Sequence, residues 1–168
     1  MSTKIKHRAF FSFHYANDAW RAGQVRNMGV VDGNEPVSDN AWEEVVKKGD
    51  DNIKKWINGQ IDGRTVAIVL IGKDTYSRKW VKYEIKRAWE KGLGLFGIYI
   101  HGLKNQDEEQ SKKGLNPFDF VTIESGKKLS QFVEVYDTPY TTSKNVYDYI
   151  KDNIAKWSED AINARKEA

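Results

Sequence analysis

Apolar residues along this chain fall into two kinds of segment. Three are nearly unbroken runs: Ala9-Phe10-Phe11-Ser12-Phe13, Thr65-Val66-Ala67-Ile68-Val69-Leu70-Ile71, and Leu93 to Ile100. Short continuous runs of this kind predict strands buried on both faces, the central strands of a parallel sheet. Elsewhere apolar residues return every three or four positions, the period of a helix with one buried stripe. Ile53, Ile57 and Ile61 predict a helix over 51–61, and Val81, Ile85 and Ala88 one from a Ser77 cap through Lys91, stopped by Gly92. Val146, Ile150, Ile154, Trp157 and Ala161 predict a C-terminal helix capped by Ser143, with the last six residues fraying. A further helix is expected from Asn17 or Asp18 to Asn27, with Gly29 as its stop, and a short one over Trp42 to Lys48 behind Ser38 or Asp39. Residues 30–40 and 103–116 read as loops, and 121–136 as a hairpin or a final strand.

Strands alternating with helices predict an α/β domain on a mainly parallel sheet. The 168 residues suit a single domain spanning 1–168. Composition narrows the chemistry. With no cysteine there is no disulfide frame, thiolate nucleophile or zinc finger, and His7, His14 and His101 are too scattered for a legible metal site. A net charge of +3 gives no sign of a nucleic-acid binder. The start is polar and basic, and the longest apolar run, Val66 to Ile71, is too short to span a membrane. A soluble, cytoplasmic protein is expected. No glycine-rich dinucleotide fingerprint or phosphate-binding Walker loop is present, which argues against hydride transfer and against an NTPase.

Open parallel sheets bind ligands at the carboxyl ends of their strands. After the first run stand Ser12, Phe13, His14, Tyr15, Asn17 and Asp18; after the second stand Gly72 to Ser77, then Trp80 and Glu84. Ser77, Trp80 and Glu84 are spaced to share one helix face, and side chains there lean toward the amino end, back over the strand edge. The helix dipole favours an ionised Glu84 in the second turn. Several of these residues have ordinary structural uses as well. Trp80 is a pocket wall or core; His14 binds a ligand or closes a strand end; Tyr15 packs a loop or stacks on a base. Ser12 is a turn position rather than a nucleophile. Arg26 meets a phosphate or a surface carboxylate, Trp42-Glu43 marks a helix start, and Asn116-Pro117-Phe118-Asp119 is a turn that can close one side of a pocket. Arg78, Lys79, Lys82, Lys86 and Arg87 form a solvated face or a phosphate-attracting rim.

The blocks Phe10-Phe11-Ser12-Phe13-His14-Tyr15, Val25-Arg26-Asn27, Val69-Leu70-Ile71-Gly72, Trp80-Val81-x-Tyr83-Glu84-Ile85 and Asn116-Pro117-Phe118-Asp119 resemble the Toll/interleukin-1 receptor (TIR) family, and more closely the TIR-like subunits of bacterial Thoeris anti-phage systems. The resemblance covers residues 8–120; 121–168 would add the hairpin or final strand and the C-terminal helix. It implies a TIR/flavodoxin-like three-layer fold with a central, mainly parallel five-stranded sheet. It implies that Glu84 is catalytic, that NAD is a substrate and no separate cofactor or metal is needed, and that nicotinamide is released. The ADP-ribose part would be released or cyclised to a signalling nucleotide that activates a separate effector protein. The candidate substrate-binding set is Phe11, Ser12, Phe13, His14, Arg26, Ser77 and Trp80. A homo-oligomer is compatible with this reading. The alternatives are a non-enzymatic TIR-like interaction module and a phospho-receiver domain. The second lacks its acidic residues, since Ser12 and Gly72 stand in their places. The polar 103–116 segment is expected to be a mobile lid.

Overall fold

The three apolar runs form the middle of the sheet in a computed structural model that describes residues 7–33 and 45–167. In chain order the strands are β1 (Arg8–Ser12), β2 (Asp32–Gly33), β3 (Val66–Ile71), β4 (Gly94–Tyr99) and β5 (Val135–Tyr136). Among the described residues the long helices are α1 (Tyr15–Asn27), α2 (Asp50–Ile61), α3 (Lys79–Glu90) and α4 (Ser143–Glu167). The sheet order is β2-β1-β3-β4-β5 and every pair is parallel. The α/β three-layer expectation is met, in the flavodoxin-like order.

Alternation along the strands divides the interior in two. Ala9, Phe11, Ile68, Leu70, Phe96 and Ile98 face α1 and α4, where Ala22, Val25, Val146, Ile150, Ile154 and Trp157 close one core. Phe10, Ala67, Val69, Ile71 and Leu95 face α2 and α3, where the predicted stripes Ile53/Ile57/Ile61 and Val81/Ile85/Ala88 close the other. All six residues of β3 are buried, as an unbroken apolar run requires. Helices leave β1 and β3 on opposite faces, so a crevice opens beyond the carboxyl ends of these two neighbours.

Several local expectations need correction. Asp32–Gly33 lies in a segment expected to be loop, but pairs with Arg8 and Ala9 as an edge strand. Gly33 suits the position because the Phe11 ring occupies the space a side chain there would need. Among the described residues, none of the expected N-terminal caps acts as one. α1 begins behind His14, with Asn17 and Asp18 inside its first turn. Ser77 ends a 3-10 turn (Thr75–Ser77) and its hydroxyl donates to the Asp74 carbonyl at 3.0 Å, leaving Arg78 at the head of α3. At α4 the capping oxygen is Thr142 Oγ1, which accepts from the Asn145 amide at 3.4 Å, not that of Ser143. The tail does not fray: α4 runs to Glu167, and Arg165 donates to the Trp89 carbonyl at 3.0 Å with its guanidinium 4.1 Å from the Trp89 ring centre. Residues 121–136 hold both expected forms, a small antiparallel turn bridged at Thr122 and Lys128 and then the final strand β5. The proposed Ser38 or Asp39 cap and the Trp42-Glu43 pair lie outside the described residues; 45–47 are helical.

Candidate active site at the β1–β3 crevice

Strand alternation puts Phe10 and Ser12 on the α2/α3 face of β1. α3 packs on that face, and its second turn brings Glu84 over the end of β1. Ser12 Oγ donates to Glu84 Oε1 at 3.1 Å. Ser12 is 1% exposed, and Glu84 is half-buried with its carboxyl turned to Ser12. Burial pushes the Glu84 carboxyl from its ordinary 4.5 up to about 8, and the Ser12 hydrogen bond offsets part of that rise. The dipole argument from the sequence is therefore overridden: loss of water outweighs the helix field, and Glu84 is a largely protonated acid at neutral pH.

The rim of the crevice is built by the β1–α1 and β3–α3 turns. Asn17 Nδ2 donates to Asp74 Oδ2 at 3.2 Å, linking them across the mouth. His14 sits at the junction, with Nδ1 buried and unpartnered. Burial lowers its pKa, Arg78 lowers it further and Asp74 opposes them, so its imidazole is neutral at pH 7. A neutral ring nitrogen enclosed at a crevice mouth can accept from, or donate to, a ligand hydroxyl. The Gly72 amide donates to Thr75 Oγ1 at 2.8 Å, turning the chain sharply out of β3.

The remaining candidates divide. Phe13 is half-buried at the end of β1, 6.1 Å from Tyr15 in a stacked pair. Trp80 is half-buried against the α2/α3 core, edge-on to Tyr83 at 5.8 Å, with Lys79 Nζ 4.7 Å from its ring centre. Ser77 is exposed and belongs to the 3-10 turn, so it does not share a helix face with Trp80 and Glu84. Phe11 is 4% exposed on the opposite face from Ser12, which makes it core against α1, α4 and Gly33 and not a residue of the crevice. Arg26 lies in the last turn of α1, roughly 16 Å along the helix from Tyr15 at 1.5 Å per residue, and is not brought to the crevice.

Two residues that carry the architecture are absent from that set. Asp18 and Arg21, 1% and 4% exposed, form a buried ion pair with Oδ1 3.0 Å from Nη1. The Asp18 carboxylate fills the place a side chain at Gly72 would take, and its Oδ2 has no partner. The legible sign was Asp18-x-x-Arg21 on the same stripe as Ala22 and Val25: charged groups three apart on a buried face must pair. Among the described residues no group of three or more His, Asp or Glu side chains is placed to hold a metal. An open cleft of about 440 Å³, lined by Trp20, Gln24 and residues 104–108, contains none of the crevice residues.

Comparison with known proteins places these features in a family. Residues 10–105, which include Ser12, His14, Asp74 and Glu84, match the family described as "Thoeris protein ThsB, TIR-like domain". Over 130 residues the chain is 38% identical to a protein of Bacillus cereus (strain MSX-D12) named "Putative cyclic ADP-D-ribose synthase ThsB1", covering 73% of this chain and 68% of that one.

Proposed function

Because this chain belongs to the ThsB family of TIR-like Thoeris proteins, we propose that it cleaves NAD at the nicotinamide glycosidic bond and forms a cyclic ADP-ribose-type nucleotide. The observation that carries the proposal is the Glu84 carboxyl, hydrogen-bonded by Ser12 at the carboxyl edge where the segments leaving β1 and β3 part to opposite faces of the sheet. The name of the Bacillus cereus relative, a putative cyclic ADP-D-ribose synthase, is the second support.

The chemistry needs one carboxyl group. Nicotinamide in NAD is already cationic, so it departs without a general acid, leaving an oxocarbenium-like centre at C1′ of the ribose. A carboxylate in a water-poor pocket stabilises that charge far better than it would in solvent. The raised pKa of Glu84 fits a site that waits for a cation. Before a cation binds, the acid stays neutral and avoids a bare buried charge. When the nicotinamide cation enters, the opposite charge favours the ionised form and the proton passes to solvent. Ser12 donates to one carboxylate oxygen and fixes its direction, leaving the other for the ribose. His14 and Phe13 line the approach, and Trp80 supports α3 from the turn before Glu84. The product would diffuse to a separate effector protein.

The test is to incubate the protein, purified and in lysates of phage-infected cells, with NAD and to follow nicotinamide and nucleotide products by mass spectrometry. Nicotinamide and a cyclic product are expected from the parent and neither from Glu84→Gln. Undiminished product from Glu84→Gln at equal protein level overturns the assignment.

A further inference from the structure

The segment expected to be a mobile lid is fastened along its length. Arg21, buried in α1, spends its guanidinium on it: Nε donates to the Leu103 carbonyl at 2.8 Å and Nη2 to the Glu109 carbonyl at 2.9 Å, while Nη1 holds Asp18. Gln110 Nε2 donates to the carbonyls of Gly102 at 2.8 Å and Thr141 at 2.7 Å. The Ser111 amide donates to the His101 carbonyl at 2.9 Å. Lys113 Nζ meets Asp137 Oδ2 at 2.8 Å and lies 4.5 Å from the ring centre of Tyr99, the last residue of β4. Gly114 then packs directly on the carbonyls of Gly72 and Lys73, at the carboxyl end of β3. The chain thus passes from α1, across the ends of β4 and β5, to the edge of the crevice that holds Glu84.

We infer that residues 103–114 are a fixed wall of the active site, positioned by Arg21 and Gly114, that decides whether water or the substrate's own group attacks C1′. The inference rests on the NAD-cleaving function proposed above. Nicotinamide leaves with the electron pair of the C1′–N bond. In hydrolysis a water oxygen bonds to C1′ and loses a proton, giving linear ADP-ribose. In cyclisation a hydroxyl of the same nucleotide bonds there instead and loses its proton, or a ring nitrogen bonds through its lone pair and the base, now cationic, sheds a proton from its exocyclic amine. The two outcomes share Glu84 and the leaving step. They differ in how much water reaches C1′ and in how firmly the adenine end is held, both properties of the wall. Gly114 is required at its place because a methyl group would strike the Gly72 and Lys73 carbonyls, which are backbone and cannot turn aside.

The test compares parent, Gly114→Ala and Arg21→Met by the ratio of linear to cyclic product formed from NAD. A ratio does not depend on the fraction of active protein, so a partly unfolded variant still reports. Both variants are expected to raise the linear share several-fold while nicotinamide release continues. An unchanged ratio in both, with NAD still consumed, overturns the inference and leaves the NAD-cleaving function standing. A parent that forms no nicotinamide under any condition overturns that function instead. Hydrogen exchange gives a readout independent of activity. The amides of Ser111 and Glu109 should be protected in the parent and lose protection in Arg21→Met; exchange at unprotected rates in the parent overturns the fixed wall.

Discussion

At the scale of a residue, Glu84 ties reactivity, pH and stability to one carboxyl. Its pKa of about 8 predicts the rate profile. If the ionised form is the reactive one, kcat/KM for NAD rises with pH and levels off above about 8, since this ratio reports the free enzyme's groups. The Ser12 hydrogen bond favours the charged form, so Ser12→Ala should push the rise to higher pH and lose more activity at pH 7 than at pH 9. A profile that Ser12→Ala leaves in place would detach the limb from Glu84. Stability runs the other way. A carboxyl whose folded pKa lies above the ordinary 4.5 costs nothing below that pH, and its cost grows until the pH passes about 8. Each tenfold change in proton affinity is worth about 1.4 kcal/mol, so Glu84→Gln should be a few kcal/mol more stable than the parent at pH 8 and equal to it at pH 4. Denaturation midpoints at the two pH values check this. The sequence places Glu84 correctly over the strand edge, from its spacing behind Trp80. It misjudges the protonation state, because the dipole is readable from helix position whereas burial by β1 is a tertiary fact.

At the scale of elements, the apolar stripes survive folding almost unchanged and the ends do not. Ile53/Ile57/Ile61 and Val146/Ile150/Ile154/Trp157 are buried as their spacing demands. Stripes are legible because helices in such folds are held by packing rather than by intrinsic propensity. For the same reason the caps were illegible: Asn17, Asp18 and Ser77 are good capping residues, yet each is drawn into a contact with another segment or turn. β2 and β5, two residues each, carry too few positions for any period, and exist because a neighbour offers free backbone groups. Close approach of elements supplies a prediction. A methyl group on Gly94 would lie 2.7 Å from the Ile162 amide nitrogen and 2.9 Å from the Ala161 carbonyl carbon, both backbone of α4. Gly94→Ala should therefore lift α4 off β4 and cost about 1–3 kcal/mol. Arg165→Ala removes a hydrogen bond and a ring contact at the same helix end and should cost about 1 kcal/mol. Urea midpoints test both; a neutral Gly94→Ala would mean that α4 is not seated on β4 as described.

At the scale of the whole molecule, one buried pair joins parts distant in sequence: α1, the turn after β3 and the wall at 103–109 all meet at Asp18 and Arg21. Two neighbouring charges out of water are weak stabilisers as a pair, but removing one partner strands the other. Burial already holds the Asp18 carboxyl above its usual range, against the lowering effect of Arg21. Arg21→Met should cost about 3–5 kcal/mol, because the carboxylate beside Gly72 loses its cation and two carbonyls lose their donor. Asp18→Asn in the Arg21→Met background should recover part of that, since no charge remains to bury. The pH dependence has a definite sign. Without Arg21 the folded pKa of Asp18 rises further above its ordinary 3.8, so the deficit of Arg21→Met shrinks as the pH falls toward that value and widens as the pH rises. A double-mutant cycle by urea denaturation at two pH values measures both effects. A deficit that neither Asn at position 18 nor low pH relieves would place the cost in the lost bonds to Leu103 and Glu109 alone. Those bonds fasten residues 103–109 to α1, and the same segment ends at Gly114 on the carbonyls of Gly72 and Lys73, so the arginine that keeps α1 on the sheet also anchors the chain that reaches the crevice.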